Sequence, residues 1–518
     1  MIKVTGTALA LASSETKNSL NEILARLSSK DYTLWGEEAQ VEAKTRLNWI
    51  DLPTLSRDLL PELDALTAWA RTHHISSIVL AGMGGSSLAP EVIAKSYKKE
   101  LRVLDTTDPD QIYAAIPTDL AHTLVIVGSK SGSTIETASH KAFFTKLFQD
   151  AGLNVADHFV IITDPGSPLD KSARAEGLRV INADSNVGGR YSALSAFGLV
   201  PAALIGVDVS LLLDDAAAAA ESFIQFDSAP VQIAATIFDK GDQNVALFDK
   251  DSDLPGISDW IEQLVAESTG KNQTGRLPIV IESASAPIAG QGLKIGFSSE
   301  ASSDLSVLGT LGEQFILWEW VTALLSFSLK VDPFNQPNVT EAKERTGALL
   351  STWNDGKVPR FKPSFEDDLL AVFSSSQAST LAGQCDDFFA HASHYIAIMA
   401  YLARGIDVRA TDLRVLIAER SGKGTTFGWA PRFLHSTGQY HKGGQHNGAF
   451  LQITGENLHD LSIPNQNFSF HTLLMAQALG DGQALTDRAF PLMRIHLKER
   501  ERGLTLLINT LTNGSVAD

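Results

Sequence analysis

Cysteine is almost absent from this chain: Cys385 is the one thiol in 518 residues. A single thiol can form neither a disulfide within the chain nor a cysteine-based metal site, and its expected role is buried filler. No histidine pair has metal-ligand spacing with carboxylate support, so no metal is expected. Positive charge is in deficit. Forty-two Lys and Arg face 60 Asp and Glu, giving a formal net charge of −18. Nucleic-acid binding needs a basic face to neutralise phosphates, and no helix-turn-helix is visible. A small anionic substrate remains allowed, because one local lysine or arginine can dominate a cleft. Long apolar runs are also scarce. Met1 to Ser13 is interrupted by Thr5, Gly6 and Thr7, and Ala193 to Leu213 by Pro201 and Asp208. Leu311 to Leu329 carries Glu313 and Glu319 and reads as a buried core helix. None reads as a signal peptide or a membrane span, so a soluble cytoplasmic protein is expected. No short-period repeat is present.

What is there is ordinary for a globular enzyme: 44% hydrophobic and 20% charged residues. The length predicts more than one domain. Residues 1–60 read as helical and peripheral, with Leu20, Ile23, Leu24 and Leu27 at helical spacing. From about residue 75 apolar strands alternate with helices. The strands are Ile78–Ala81, Leu101–Leu104, Leu124–Val127, Phe159–Ile162 and Arg179–Ile181. This alternation predicts a doubly wound α/β sheet. A second α/β unit follows from about residue 210, with strands at Asn244–Phe248, Pro278–Ile281 and Leu293–Phe297. Beyond Lys343 the character is mixed, with a helix expected over Ala400–Ile417 and a strand over Gly448–Ile453.

Two turns stand out. Gly128-Ser129-Lys130-Ser131-Gly132-Ser133-Thr134-Ile135-Glu136-Thr137 joins a strand to a helix with five hydroxyls and one lysine. A helix N-terminus offers unpaired N–H groups and partial positive charge, so the turn can hold an anion. Ser133 and Glu136 also fit a capping box, but a cap needs one hydroxyl rather than five. Gly82-Met83-Gly84-Gly85-Ser86-Ser87 is the second anion candidate, weak alone, since its spacing differs from a dinucleotide fingerprint. Two such turns at neighbouring strand ends strengthen each other, because ligands of open α/β sheets bind at that edge. Arg190 leaves a paired-glycine turn at the start of an apolar helix, a place suited to an anion. Glu267 ends a helix, and Leu434 to Gly444 carries His435 and His441. Each of these also has a plain structural reading.

Together GMGGSSLAP, GSKSGSTIET, NVGGRYSALSAFG, AESTGK and FNQPNVTEAK resemble the glucose-6-phosphate isomerase (phosphoglucose isomerase) family of the sugar-isomerase fold. They span residues 82 to 343 in family order. Residues 1–60 and HSTGQYHKGG are similar to the isomerase half of transaldolase–isomerase fusions. The resemblance implies two doubly wound α/β sugar-isomerase domains with mainly parallel sheets and peripheral helices. The expected divisions are an N-terminal helical segment 1–60, domains at 61–208 and 209–343, and a segment 344–518 completing the second domain and the site. It implies reversible isomerisation of glucose 6-phosphate and fructose 6-phosphate through a cis-enediolate, in glycolysis and gluconeogenesis, with no cofactor.

By the same resemblance Ser86, Ser129, Ser131 and Thr134 bind the substrate phosphate, with Lys130 nearby. Gly84 and Gly85 let the backbone approach the sugar. Arg190 stabilises the enediolate, Glu267 shuttles the proton between C1 and C2, and Gln336 and Lys343 close the site. The partners implied are a sugar phosphate and a second copy of the chain, in a homodimer whose active sites are shared between subunits. One departure concerns the ring-opening histidine. In the family it precedes the FDQP-type motif and comes from the neighbouring subunit. Here Gly309 to Phe315 carries none, and the similar string LHSTGQ follows Lys343. The role is assigned to His435, reached across a dimer interface, with His441 in reserve and Gln314 third. Two rival readings are a related phosphosugar isomerase that also accepts mannose 6-phosphate, and a non-catalytic sugar-phosphate-binding regulator. The regulator would explain the two anion turns but not Arg190, Glu267 and Lys343 together.

Overall fold

The computed structural model describes residues 2–288, 292–299, 302–353 and 357–513. Each strand expected between residues 75 and 182 forms, and together they make one parallel sheet. Its order is Arg102–Leu104, Ser77–Gly82, Thr123–Gly128, Phe159–Thr163, Arg179–Asn182. Gly82 is in register with Gly128, so the glycine turn and the hydroxyl-rich turn leave the same sheet edge side by side. These strands are continuous apolar runs because helices cover both faces of the sheet.

The second sheet takes Leu277–Val280, Asn244–Phe248, Leu293–Gly296 and Leu305–Leu308 in parallel. Lys3–Thr5 adds an antiparallel edge strand beside Leu305–Leu308, too short to show any period in the sequence. After it, Leu20, Ile23, Leu24 and Leu27 point one face of the Ser14–Ser28 helix into the largest core. Leu311–Leu329 is a helix over the expected span, and Leu311 through Ser326 are all buried. A helix apolar all round is stable only when enclosed. Glu313 completes a capping box with Thr310, while Glu319 lies fully buried, its carboxyl pushed well above the usual range by burial.

Residues 365–497 build a third sheet of six strands, of which the sequence reveals only Gly448–Gly455. Tyr395–Ala400, Gly424–Trp429, Gly448–Gly455 and Leu492–Leu497 run parallel, with two antiparallel strands at one edge. The helix expected over 400–417 is instead the end of strand Tyr395–Ala400, a loop, and the helix Asp412–Ser421. Short apolar runs do not distinguish a buried strand from a buried helix. Strand Gly424–Trp429 lies beside the Leu277–Val280 edge of the second sheet, where Gly424 leaves no room for a Cβ next to Asn244. Cys385 is buried as expected, and burial pushes its thiol up to about 12. No helix among the described residues is long and apolar enough to cross a membrane.

Candidate active site

The hydroxyl-rich turn ends at Thr134, from which the 16-residue helix Ile135–Asp150 starts. The capping box that the sequence allows at Ser133 and Glu136 does not form; no side chain caps this helix. The hydroxyls bond one another instead, Ser129 to Thr134 at 3.2 Å and Ser131 with Ser133 at 3.0 Å. Ser129 is buried and Ser131 exposed. The helix N–H groups therefore face an arc of hydroxyls that can turn their protons to an anion. Lys130 is directed elsewhere. Its Nζ donates to Asp164 at 2.6 Å and to the Asp184 carbonyl at 3.3 Å. Burial pulls this ammonium below its usual range and raises the Asp164 carboxyl.

The glycine turn lies against the Arg190 turn. A Cβ on Gly85 would sit 1.9 Å from the Gly189 carbonyl oxygen. Gly84 has φ +56°, and a Cβ there would meet the Gln263 amide at 2.7 Å and the His435 carbonyl at 2.9 Å. Both glycines are thus required where protein segments converge on the site. Ser86 is buried beside Gly82 and Gly128, at the ends of two adjacent strands.

Glu267 and Arg190 meet at the centre. Glu267 is in the last turn of helix Ile257–Thr269, and its Oε1 lies 2.8 Å from Arg190 Nη1. Its Oε2 accepts from Gln263 Nε2 at 3.1 Å, one helical turn earlier. Both side chains are buried. Arg190 also donates to Gln336 Oε1 at 2.9 Å and to the Pro333 and Asn335 carbonyls at 3.0 Å. This fork fixes the guanidinium plane, which an ammonium could not reproduce. Lys271 is buried close by and donates to the Asp332 carbonyl. Burial and the Arg190 charge hold it well below the usual lysine range. Gln336 leads into helix Pro337–Thr352, which carries Lys343. Lys343 is exposed and lines a cavity of about 170 Å³ with Ser133, Glu136, His435 and Gln477.

His435 reaches this cavity from the same chain, where the resemblance implies the neighbouring subunit. Its Nε2 lies 3.0 Å from Glu136 Oε1, which also accepts from Gln477 at 2.7 Å. Its carbonyl accepts from Gln263 Nε2 at 2.9 Å. One amide therefore touches both Glu267 and the His435 backbone. Burial opposes ionisation of Glu136, but the His435 charge prevails and holds the carboxyl at about 2. His441 is buried, stacked on Tyr395 with the Tyr395 hydroxyl 3.3 Å from Nδ1; burial and Lys442 push it down to about 3. Gln314 is buried in the core, donating to the Val307 carbonyl and accepting from Trp318 Nε1. Neither is among the side chains gathered here. Sequence reasoning missed Gln263, Glu136, Gln477 and Lys271 as members of the constellation. Gln263 could have been found, since it lies four residues from Glu267 on one helical face.

Residues 62–292 match the family model described as phosphoglucose isomerase. Glucose-6-phosphate isomerase of Citrifermentans bemidjiense is 35% identical over 245 residues, 42% of this chain and 46% of that one. The chloroplastic glucose-6-phosphate isomerase 1 of Arabidopsis thaliana is 36% identical over 212 residues, 38% of this chain and 35% of that one. The chain spans about half the length of the curated relatives it matches. In fold it is similar to the crystal structure of a glucose-6-phosphate isomerase from Chlamydia trachomatis, with 19% identity and a TM-score of 0.53 over 68% of this chain and 90% of that one. Over residues 62–292 the chain is similar to the phosphoglucose isomerase family.

Proposed function

We propose that the protein interconverts glucose 6-phosphate and fructose 6-phosphate through a cis-enediolate. The observation that carries this reading is the Gln263 amide, hydrogen-bonded to both Glu267 and the His435 carbonyl, with Arg190 on the other Glu267 oxygen. Aldose–ketose conversion asks for a base aimed at a C–H bond and a cation where the oxyanion develops. Glu267 takes the proton from one carbon and returns it to its neighbour, and Arg190 stabilises the enediolate between the two transfers. Ser86, Ser129, Ser131 and Thr134 hold the phosphate at the helix start. His435, ion-paired with Glu136, moves the proton that opens the sugar ring, with Lys343 across the same cavity. Gln336 orients Arg190. Lys130 serves the turn through Asp164 rather than by touching phosphate. The homodimer and the cytoplasmic location implied by the resemblance belong to the same proposal, but the site is assembled within one chain.

The test is turnover of fructose 6-phosphate in a coupled assay, with Glu267→Gln as control. Steady turnover that collapses in the variant is expected. A wild-type chain that binds fructose 6-phosphate without converting it is a sugar-phosphate-binding protein, and the reading fails.

A further inference from the structure

A second cavity, of about 210 Å³, lies behind the site at the junction of the second and third sheets. The turn Arg432–His435 separates it from the first. Leu434 and His435 line the front cavity, whereas Arg432, Phe433 and the following Ser436 line the rear one. The catalytic helix forms another wall, presenting Asp259 and Glu262 at i and i+3. Glu262 is nine-tenths buried, and among the described residues its carboxyl has no hydrogen-bond or ion-pair partner. Phe427, Trp429 and Phe433 supply apolar walls.

The charge balance of the lining is uneven. Arg414 is closed off in a two-point pair with Glu282, at 2.7 and 2.5 Å. Arg432 is neutralised from outside the cavity by Glu91 and Asp105. Among the described residues the Asp259 and Glu262 carboxyls form no direct ion pair or hydrogen bond, although the Arg432 charge acts on both and Lys95 on Asp259. Burial and the adjacent Asp259 hold Glu262 well above the usual carboxylate range, as for a carboxylate lacking its partner.

We propose that the rear cavity is a binding site for a small organic cation, a primary ammonium on an apolar body. The ammonium donates to Asp259 and Glu262, and the body lies against Trp429, Phe427 and Phe433, where aromatic faces favour a cation. The volume is below the ~300–1,000 Å³ of drug-sized pockets, which suits a body of one ring or a short alkyl chain. A metal ion fits less well: among the described residues no group of three or more His, Cys, Asp or Glu is arranged to hold one. Because the Arg432–His435 turn is shared by both cavities, an occupant bears on His435. That regulatory consequence rests on the isomerase reading; the binding itself does not.

Isothermal titration of the full chain with benzylammonium, and with benzyl alcohol as the neutral control, tests the site. One-to-one binding is expected for the amine, weakened about tenfold or more in Glu262→Gln and in Asp259→Asn. Equal binding of the alcohol, no binding of the amine, or amine affinity unchanged in both variants overturns the proposal. In the coupled assay, saturating benzylammonium should change fructose 6-phosphate turnover in the wild type but not in Glu262→Gln. Demonstrated binding with unchanged turnover overturns the link to His435. If the wild type has no turnover at all, the isomerase reading fails while the titration still decides the site.

Discussion

Residues 77–182 and residues 365–513 are both helices packed on a mostly parallel sheet, yet they serve the site differently. In the proposed reading the first region holds the substrate end. Two turns leave adjacent strands in register, and Arg190 follows the last strand. The second region gives His435 and Gln477, which both bond Glu136, and otherwise acts as a buttress. It is docked on the first by buried charge. Arg432 pairs with Glu91 and Asp105, and Arg404 with Glu91 at 2.7 Å. Arg500 pairs with Asp108 at 2.6 Å, and Asp110 accepts from Asn457 and His459. In the proposed reading ligand atoms dictate each position of the two turns, so their strings carry the signal. A buttress needs only a matching surface and a few residues in place.

The largest effect is expected at Glu267, the carboxylate that meets Arg190. Glu267→Gln keeps shape and removes the base, and should lower kcat by ~10²–10⁴ with little change in melting temperature. His435→Ala, in the second region, should lose activity on cyclic substrate and retain more on substrate already open; equal losses on both remove His435 from ring opening. Arg432→Ala should cost ~1–3 kcal/mol in denaturant unfolding, because Glu91 and Asp105 stay buried and keep only Arg404 and, at Glu91, Lys95 as counter-charge. A cost below ~1 kcal/mol would show that the docking charges are exposed in solution.

Much of the first region was legible and much of the second was not, for physical reasons. Apolar strands between 77 and 182 end at glycine or hydroxyl clusters, so both their period and their punctuation are visible. The Leu311–Leu329 helix was legible because only an enclosed helix tolerates apolar residues all round. Lys3–Thr5 has three residues, and its pairing depends on the distant strand Leu305–Leu308. Tyr395–Ala400 is a run of six that helix and strand share equally. Glu136 fitted a local capping box, and that local reading hid its bond to a histidine 299 residues distant. Gln477 and Lys271 gave no signal, because their meaning lies in tertiary contacts alone.

Smaller effects sharpen the same contrast. Ser129→Ala with Thr134→Ala should raise KM for fructose 6-phosphate more than it lowers kcat, by about tenfold for hydrogen bonds to a charged group; unchanged KM removes the turn from phosphate binding. The Glu136 pairing gives a weak acid signature. Its folded value of about 2 lies below the ordinary carboxylate value, so its stabilisation is present above ~4.3 and is lost as pH falls through about 2. Glu136→Gln should flatten the wild-type loss of unfolding free energy between those limits. An identical acid profile would separate Glu136 from the stability of the junction.

The central claim is that one chain brings His435 to its own Glu267. Mixing Glu267→Gln with His435→Ala protein, after joint unfolding and refolding, tests it most directly. The account predicts that wild type converts fructose 6-phosphate while the mixture stays as inactive on cyclic substrate as its weaker components. Activity that reappears on mixing would place His435 in a partner's site and contradict the account.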